Sequence, residues 1–273
     1  MNALSVLSSP WAILPEKLQQ IVGIYDSHLR QEVDLQAIEA QYGQSKQQGR
    51  DGYEIQNGVA LISVQGVLAK RMNMFSKMSG ATSTELIGRD VAAAVNDSEV
   101  RAIVLMVDSP GGTVDGTQAL ANIVAGAAEK KPVVTWADGM IASAAYWVGA
   151  AAGKVYLSGP TTMAGAIGVV SQHVDYSGRE AMLGVKTTEI YAGKYKRIAS
   201  EHAPLTKDGK EYVQAMVDQL YSSFVGDVAK FRGRPANQVL DSMADGRIFI
   251  GQQAIGAGLA DGMTTLDSLV ASL

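Results

Sequence analysis

From residue 57 onward, short runs of β-branched and aliphatic residues alternate with alanine-rich segments of helical period. Val59–Val64, Ala102–Val107, Val133–Ala137, Lys154–Leu157, Ile167–Ser171 and Val185–Tyr191 read as strands. Residues 84–96, 115–128, 142–152 and 176–183 read as helices between them. Such alternation predicts an α/β fold with a largely parallel sheet and flanking helices. Runs such as Ala102–Val107 are apolar throughout, as expected of strands covered on both faces. In 208–231, Val213, Met216, Val217, Leu220, Phe224 and Val228 recur at helical spacing and predict one long helix. Gly251–Gly258 and Thr265–Ala271 predict short closing helices.

Ahead of this core, residues 12–42 are polar and amphipathic, with Leu18, Ile21, Val22, Tyr25 and Leu29 at helical spacing. Gly43–Gly52 is a glutamine- and glycine-rich linker. The expected division is a helical arm and linker over 1–56 and one catalytic-sized domain over 57–273. The arm either packs on its own domain or serves as a tether or oligomerisation element. No basic residue precedes Lys17, and Pro10 interrupts the first apolar run, so a secretory signal is not expected. The longest weakly polar run, Met140–Gly153, is too short for the roughly 20 residues of a membrane crossing. A soluble, cytoplasmic protein is the expectation.

Composition narrows the chemistry. Hydrophobic residues make up 47% and charged residues 18%, which excludes disorder. There is no cysteine, so disulfides, thiolate metal sites and a cysteine nucleophile are excluded together. The three histidines, His28, His173 and His202, are scattered, and no metal site is expected. A net charge of −4 gives no electrostatic reason to expect nucleic acid. A nucleophile, if there is one, has to be serine, threonine, lysine or a carboxylate.

Three segments could carry such chemistry. Val107-Asp-Ser-Pro-Gly-Gly112 follows a predicted strand; a side-chain-free turn there brings bare N–H groups close to a ligand, as an oxyanion hole requires. An ordinary strand–helix turn has the same sequence signature. Asp138-Gly-Met-Ile-Ala-Ser-Ala-Ala-Tyr-Trp147 places Ser143 where a strand feeds a helix, flanked by alanines. An exposed nucleophile at a helix N-terminus would look like this, with the Ala144 N–H as a second donor. So would a plain helix-capping serine. Tyr191-Ala-Gly-Lys-Tyr-Lys-Arg197 is basic; a serine needs a base, and with so few histidines a lysine is the remaining candidate. A solvated basic loop is the alternative.

Glycine turn, serine elbow and basic loop in this order resemble the signal peptide peptidase A family of Ser-Lys serine peptidases. The likeness runs from about residue 57 to 271. It takes in Gly159-Pro-Thr-Thr-Met-Ala-Gly-Ala-Ile-Gly-Val169, Phe224–Gly233 and Asp245–Gly262, the last similar to the family's closing glycine-rich pattern. Ser9-Pro-Trp-Ala-Ile-Leu-Pro-Glu-Lys-Leu18 resembles the phage and prophage members, which are similar to capsid assembly (prohead) proteases.

The resemblance implies a Clp protease/crotonase-like superhelical core. It implies peptide-bond hydrolysis through an acyl-enzyme, with Ser143 as nucleophile and Lys196, in Gly193-Lys-Tyr-Lys196, as general base. Gly112 and Ala144 would supply the backbone oxyanion donors. Relatives often carry a serine where this chain has Ala166; Thr161, Thr162, Ser171 or a water could take over its part in holding the lysine. No cofactor is implied. Partners would be protein or peptide substrates, phage capsid, scaffold or portal proteins among them, and further copies of the chain in a ring whose dyad can span neighbours. A cytosolic protease degrading peptides is the alternative. A crotonase-like acyl-CoA enzyme, a Clp-type Ser-His-Asp peptidase using His173 or His202, and an inactive scaffold are weaker readings. Asp115, Asp108 and the pair His173/Asp175 read as structural. Met72, Met74, Phe75 and Met78 read as a surface loop, a groove cover or an oligomer contact.

Overall fold

A computed structural model describes residues 10–29, 52–71 and 81–273. The linker 43–51 and the methionine-rich segment 72–80 lie outside them.

The main sheet is built on β3 (Val59–Gln65), β6 (Ala102–Ser109), β8 (Val133–Ala142) and β9 (Lys154–Leu157), all parallel. Its order is β11-β10-β8-β6-β3-β2, with β9 branching from β8 and β12 (Gly262–Met263) pairing β9. The edge strands β2 (Tyr53–Gln56) and β11 (Ile248–Ile250) run antiparallel to their neighbours, whereas β10 (Met163–Gly165) is parallel to β8. The all-apolar β6 is explained by its two coverings. Ile103, Leu105 and Val107 face the large core under α2 (Thr84–Asn96), α3 (Thr117–Ala128) and α4 (Ala144–Ala150). Ala102, Val104 and Met106 face a second cluster closed by Leu266, Leu269 and Val270 of the last helix, α9 (Leu266–Ser272). The predicted parallel α/β core is therefore present, and the long helix is α6 (Lys207–Arg232).

Two sequence expectations are corrected. Val185–Tyr191 forms no strand, because its β-branched run meets no sheet edge among the described residues and lies open to solvent. Ile167–Ser171 contributes only an isolated bridge from Val170 to Trp11. A second sheet was not expected: β1 (Trp11–Ile13), β7 (Gly111–Thr113), β4 (Val67–Ala69) and β5 (Ala81–Ser83) pair in that order. Between β1 and β2 only α1 (Pro15–Leu29) is described, so the amphipathic arm begins as a strand joined to the sheet and continues as a helix.

Candidate active site

β8 changes partners halfway along its length. Val134–Ala137 pair with β9, and Met140–Ala142 pair with β10. Against β6 the register jumps from Val107↔Ala137 to Ser109↔Ile141, so Asp138, Gly139 and Met140 bulge out and redirect the strand toward Ser143. Asp108 sits against this bulge. Burial, then the like charge of Asp138, pushes its carboxyl above the usual 3.8, while the Met140 N–H donates to it and opposes the shift. Its main-chain oxygen accepts the Gly66 N–H at 2.9 Å. The structural reading of Asp108 agrees with that placement.

At Ser143 the chain leaves β8 and enters α4 with φ 54° and ψ −120°. A non-glycine residue in this region carries strain of about 1–3 kcal/mol. Two main-chain bonds hold it: the Ser143 N–H donates to Gly165 O at 2.7 Å, and its carbonyl accepts from Trp147 N–H at 3.0 Å. The hydroxyl makes no capping bond to the helix, so Ser143 is not an ordinary capping serine. Ala144 opens the helix, and its N–H has no helical carbonyl to bond. Every residue of α4 is buried. The Tyr146 hydroxyl donates to Leu259 O, and Trp147 donates to the Asp227 carboxylate while stacking on Phe224 at 4.4 Å. The serine is thus presented by a short helix that is fixed on all sides.

Gly111 and Gly112 form β7 beside it. A Cβ on Gly111, itself at φ 103°, would lie 2.9 Å from Ser143 Cβ and 2.3 Å from Ala12 O. A Cβ on Gly112 would lie 1.9 Å from Leu68 O. Neither position admits a side chain. On its other edge β7 faces β1, with Ala12 opposite Gly112. The flanking bonds are Leu14 N–H to Pro110 O at 3.1 Å and Val114 N–H to Pro10 O at 3.3 Å. In an antiparallel ladder bonded pairs alternate, so Ala12 and Gly112 are the bonded pair between them and the Gly112 N–H points at the Ala12 carbonyl.

The Gly159–Val169 loop packs behind the serine. Ala166, at φ 49° and buried, is tied by its N–H to Arg247 O at 2.8 Å. The Thr162 hydroxyl bonds with Ser158 and accepts the Gly159 N–H, so it shapes its own turn. Thr161 is exposed and Ser171 half-buried. Lys196 lies on a run of turns at 193–199, exposed to solvent, its N–H bonded to Gly193 O. Lys194 instead reaches Asp208 at 3.9 Å and Tyr195 stacks on Tyr212 of α6. The surrounding lobe, residues 171–206, is held by polar contacts: His202 to Glu180 at 2.6 Å, His173 to Ser200 O at 2.9 Å, and Arg197 to Glu189 at 3.3 Å. His173 and His202 are thereby engaged in the lobe. Its apolar side chains face outward, with Met182 88% and Ile190 96% exposed. The structure thus assembles Ser143, Ala144, Gly111 and Gly112, and leaves Lys196 at the surface of the single chain.

The sequence profile of Peptidase family S49 matches residues 125–273, and that of Clp protease matches 57–164. A Methanocaldococcus jannaschii protein named as a putative protease is 40% identical over 177 residues, covering 65% of this chain and 56% of that protein. Capsid assembly protease C of Escherichia phage lambda is 34% identical over 209 residues, 77% of this chain and 47% of that one. The head-tail preconnector protein GP5 of Enterobacteria phage P21 is 32% identical over 209 residues, 77% and 41% of the two chains. The chain therefore spans about half the length of the curated relatives it matches. The S49 match covers both the serine elbow and the lysine lobe, and the Clp match covers the strand and glycine turn ahead of them: this chain belongs to Peptidase family S49.

Proposed function

We propose that the chain is a serine endopeptidase in which Ser143 attacks the peptide carbonyl, Lys196 takes its proton and returns it to the leaving amine, and water releases the acyl-enzyme. The Gly112 and Ala144 N–H groups would hold the oxyanion. The observation that carries this reading is the strained Ser143 main chain, whose hydroxyl is left out of helix capping and set against the side-chain-free β7. Strain of that kind persists where the surrounding structure enforces it, and it clusters at reacting residues.

A lysine acts as base only when it is desolvated and neutral. In the single chain Lys196 is open to water, and the lobe around it carries Met182, Leu183 and Ile190 on its surface. Packing of that lobe on a neighbouring copy would bury both, so the dyad is completed by assembly. The likeness to the lambda capsid assembly protease supports phage head proteins as substrates.

The test is subunit complementation. Ser143→Ala and Lys196→Ala proteins, each inactive alone, are mixed, dissociated and reassembled. If the dyad spans neighbours in a ring, about a quarter of the sites regain an intact pair, and that fraction labels with a serine-directed phosphonate. No labelling of the assembled wild type would defeat the peptidase reading; labelling of wild type without complementation would place both residues of the dyad in one chain.

A further inference from the structure

The strand β1 runs beside the proposed nucleophile. It is sandwiched between two edges. On one side it pairs antiparallel with β7 over Trp11–Ile13. On the other, Trp11 and Val170 exchange both main-chain bonds at 2.8 Å. The Ala12 carbonyl receives the Gly112 N–H and lies 2.3 Å from the point where a Gly111 Cβ would stand, with Ser143 Cβ 2.9 Å from that same point. The side chains alternate as in any strand. Trp11 and Ile13 pack with Leu18, Ile21 and Val67, while Ala12 turns into the core that holds α4. Ala12 is fully buried, and Ser143 is only 1% exposed in the presence of this strand.

Resting on Ser143 as the nucleophile, we propose that residues 10–14 are a tethered, substrate-like occupant of the cleft, with Ala12 at the reacting position, and that they must leave before another peptide enters. The chain thereby displays the ligand class its cleft accepts: an extended peptide with a small residue facing the serine. The Ala12 side chain is fully buried in the core cluster that includes α4, so this place in the cleft is held by a small residue. A tethered segment acts at an effective concentration of about 1 mM. An affinity of only about 0.1 mM then keeps the cleft closed roughly nine-tenths of the time, so releasing the strand is expected to raise access about tenfold.

The experiment has two arms. In the first, Ala12→Arg is made to expel the strand, and phosphonate labelling of Ser143 is timed in the full chain. Labelling should quicken about tenfold and slow again when a synthetic Ser9–Glu16 peptide is added. A folded variant that labels at the wild-type rate would overturn the proposal. In the second arm, which needs no folded variant, wild-type chain is labelled to completion with a peptidyl phosphonate carrying alanine next to phosphorus. Amide exchange of residues 11–14 should rise; unchanged protection at full labelling would overturn it. If no variant labels at all, the nucleophile assignment has failed instead. Binding of the fluorescent Ser9–Glu16 peptide to Ala12→Arg/Ser143→Ala protein, read by anisotropy, then decides the occupant separately: saturable binding supports it and none refutes it.

Discussion

Replacing Ser143 by glycine and by alanine separates the cost of its backbone from the loss of its hydroxyl. Both variants lose the proposed nucleophile, so both should be silent in phosphonate labelling. They differ in what φ 54°, ψ −120° demands of them. Alanine keeps a Cβ and with it the strain of about 1–3 kcal/mol. Glycine has no Cβ to strain, but its unfolded chain is freer, which costs about 0.5–1 kcal/mol. The difference favours Ser143→Gly over Ser143→Ala by about 1 kcal/mol. The two bonds that hold the main chain, to Gly165 O and from Trp147 N–H, are available to either residue. In a protein of this size about 1 kcal/mol corresponds to roughly 2–4 °C in Tm. The assay is thermal and urea unfolding of both variants at one protein concentration, since assembly would couple to stability. A Ser143→Ala protein more stable than Ser143→Gly by about 0.5–1 kcal/mol, the unfolded-chain cost of glycine alone, would show that the elbow stores no strain and would remove the observation on which the nucleophile assignment stands.

Two further outcomes follow from the same geometry. Burial alone raises the Asp261 carboxyl, but hydrogen bonds from Arg232 and the Val155 N–H, with the charges of Arg232 and Lys154, outweigh it and hold it below 3.8. Its stabilisation is therefore present above that pH and lost as pH falls below it. Asp261→Ala should cost about 2–4 kcal/mol at neutral pH through the Arg232 and Val155 bonds at 2.9 and 2.8 Å, and the gap to wild type should narrow in unfolding curves taken at acid pH. Ala166→Ser should fold and keep its phosphonate labelling rate or raise it, because the added hydroxyl enters a loop whose N–H is already fixed by Arg247; an inactive but folded protein would refute that view of the loop.

How much could be read beforehand depended on how local each signal was. β6 and the α4 elbow were legible because burial on both faces, and a serine among alanines between strand and helix, leave marks within a few residues. α6 was legible from its period. The strand pattern of Val185–Tyr191 misled, because alternation shows that a segment suits a sheet and not that an edge awaits it. The converse error hid the second sheet. Gly111-Gly112-Thr113 reads as a turn, and its pairings to Trp11–Ile13 and to Leu68, both distant in sequence, make it a strand. The apolar Trp11-Ala-Ile-Leu14 run bounded by Pro10 and Pro15 was the available clue. At the site, Ser143 and its neighbouring N–H groups were visible as motifs; Lys196 was named by resemblance alone, and its exposure in one chain could not be read from residue types.

The Ser143 N–H rests on Gly165, Gly165 lies opposite Ile248 of β11, and Ala166 hangs from Arg247. The serine's main chain is thus fastened by a strand made well after β10. During synthesis a domain's elements emerge in order from the N-terminus. Until β11 has left the ribosome, β10 lacks one of its two neighbours and the elbow lacks the brace that holds its strained turn. The proposed nucleophile is armed late, while β1, made before either of its ladder partners, is already available to lie across it.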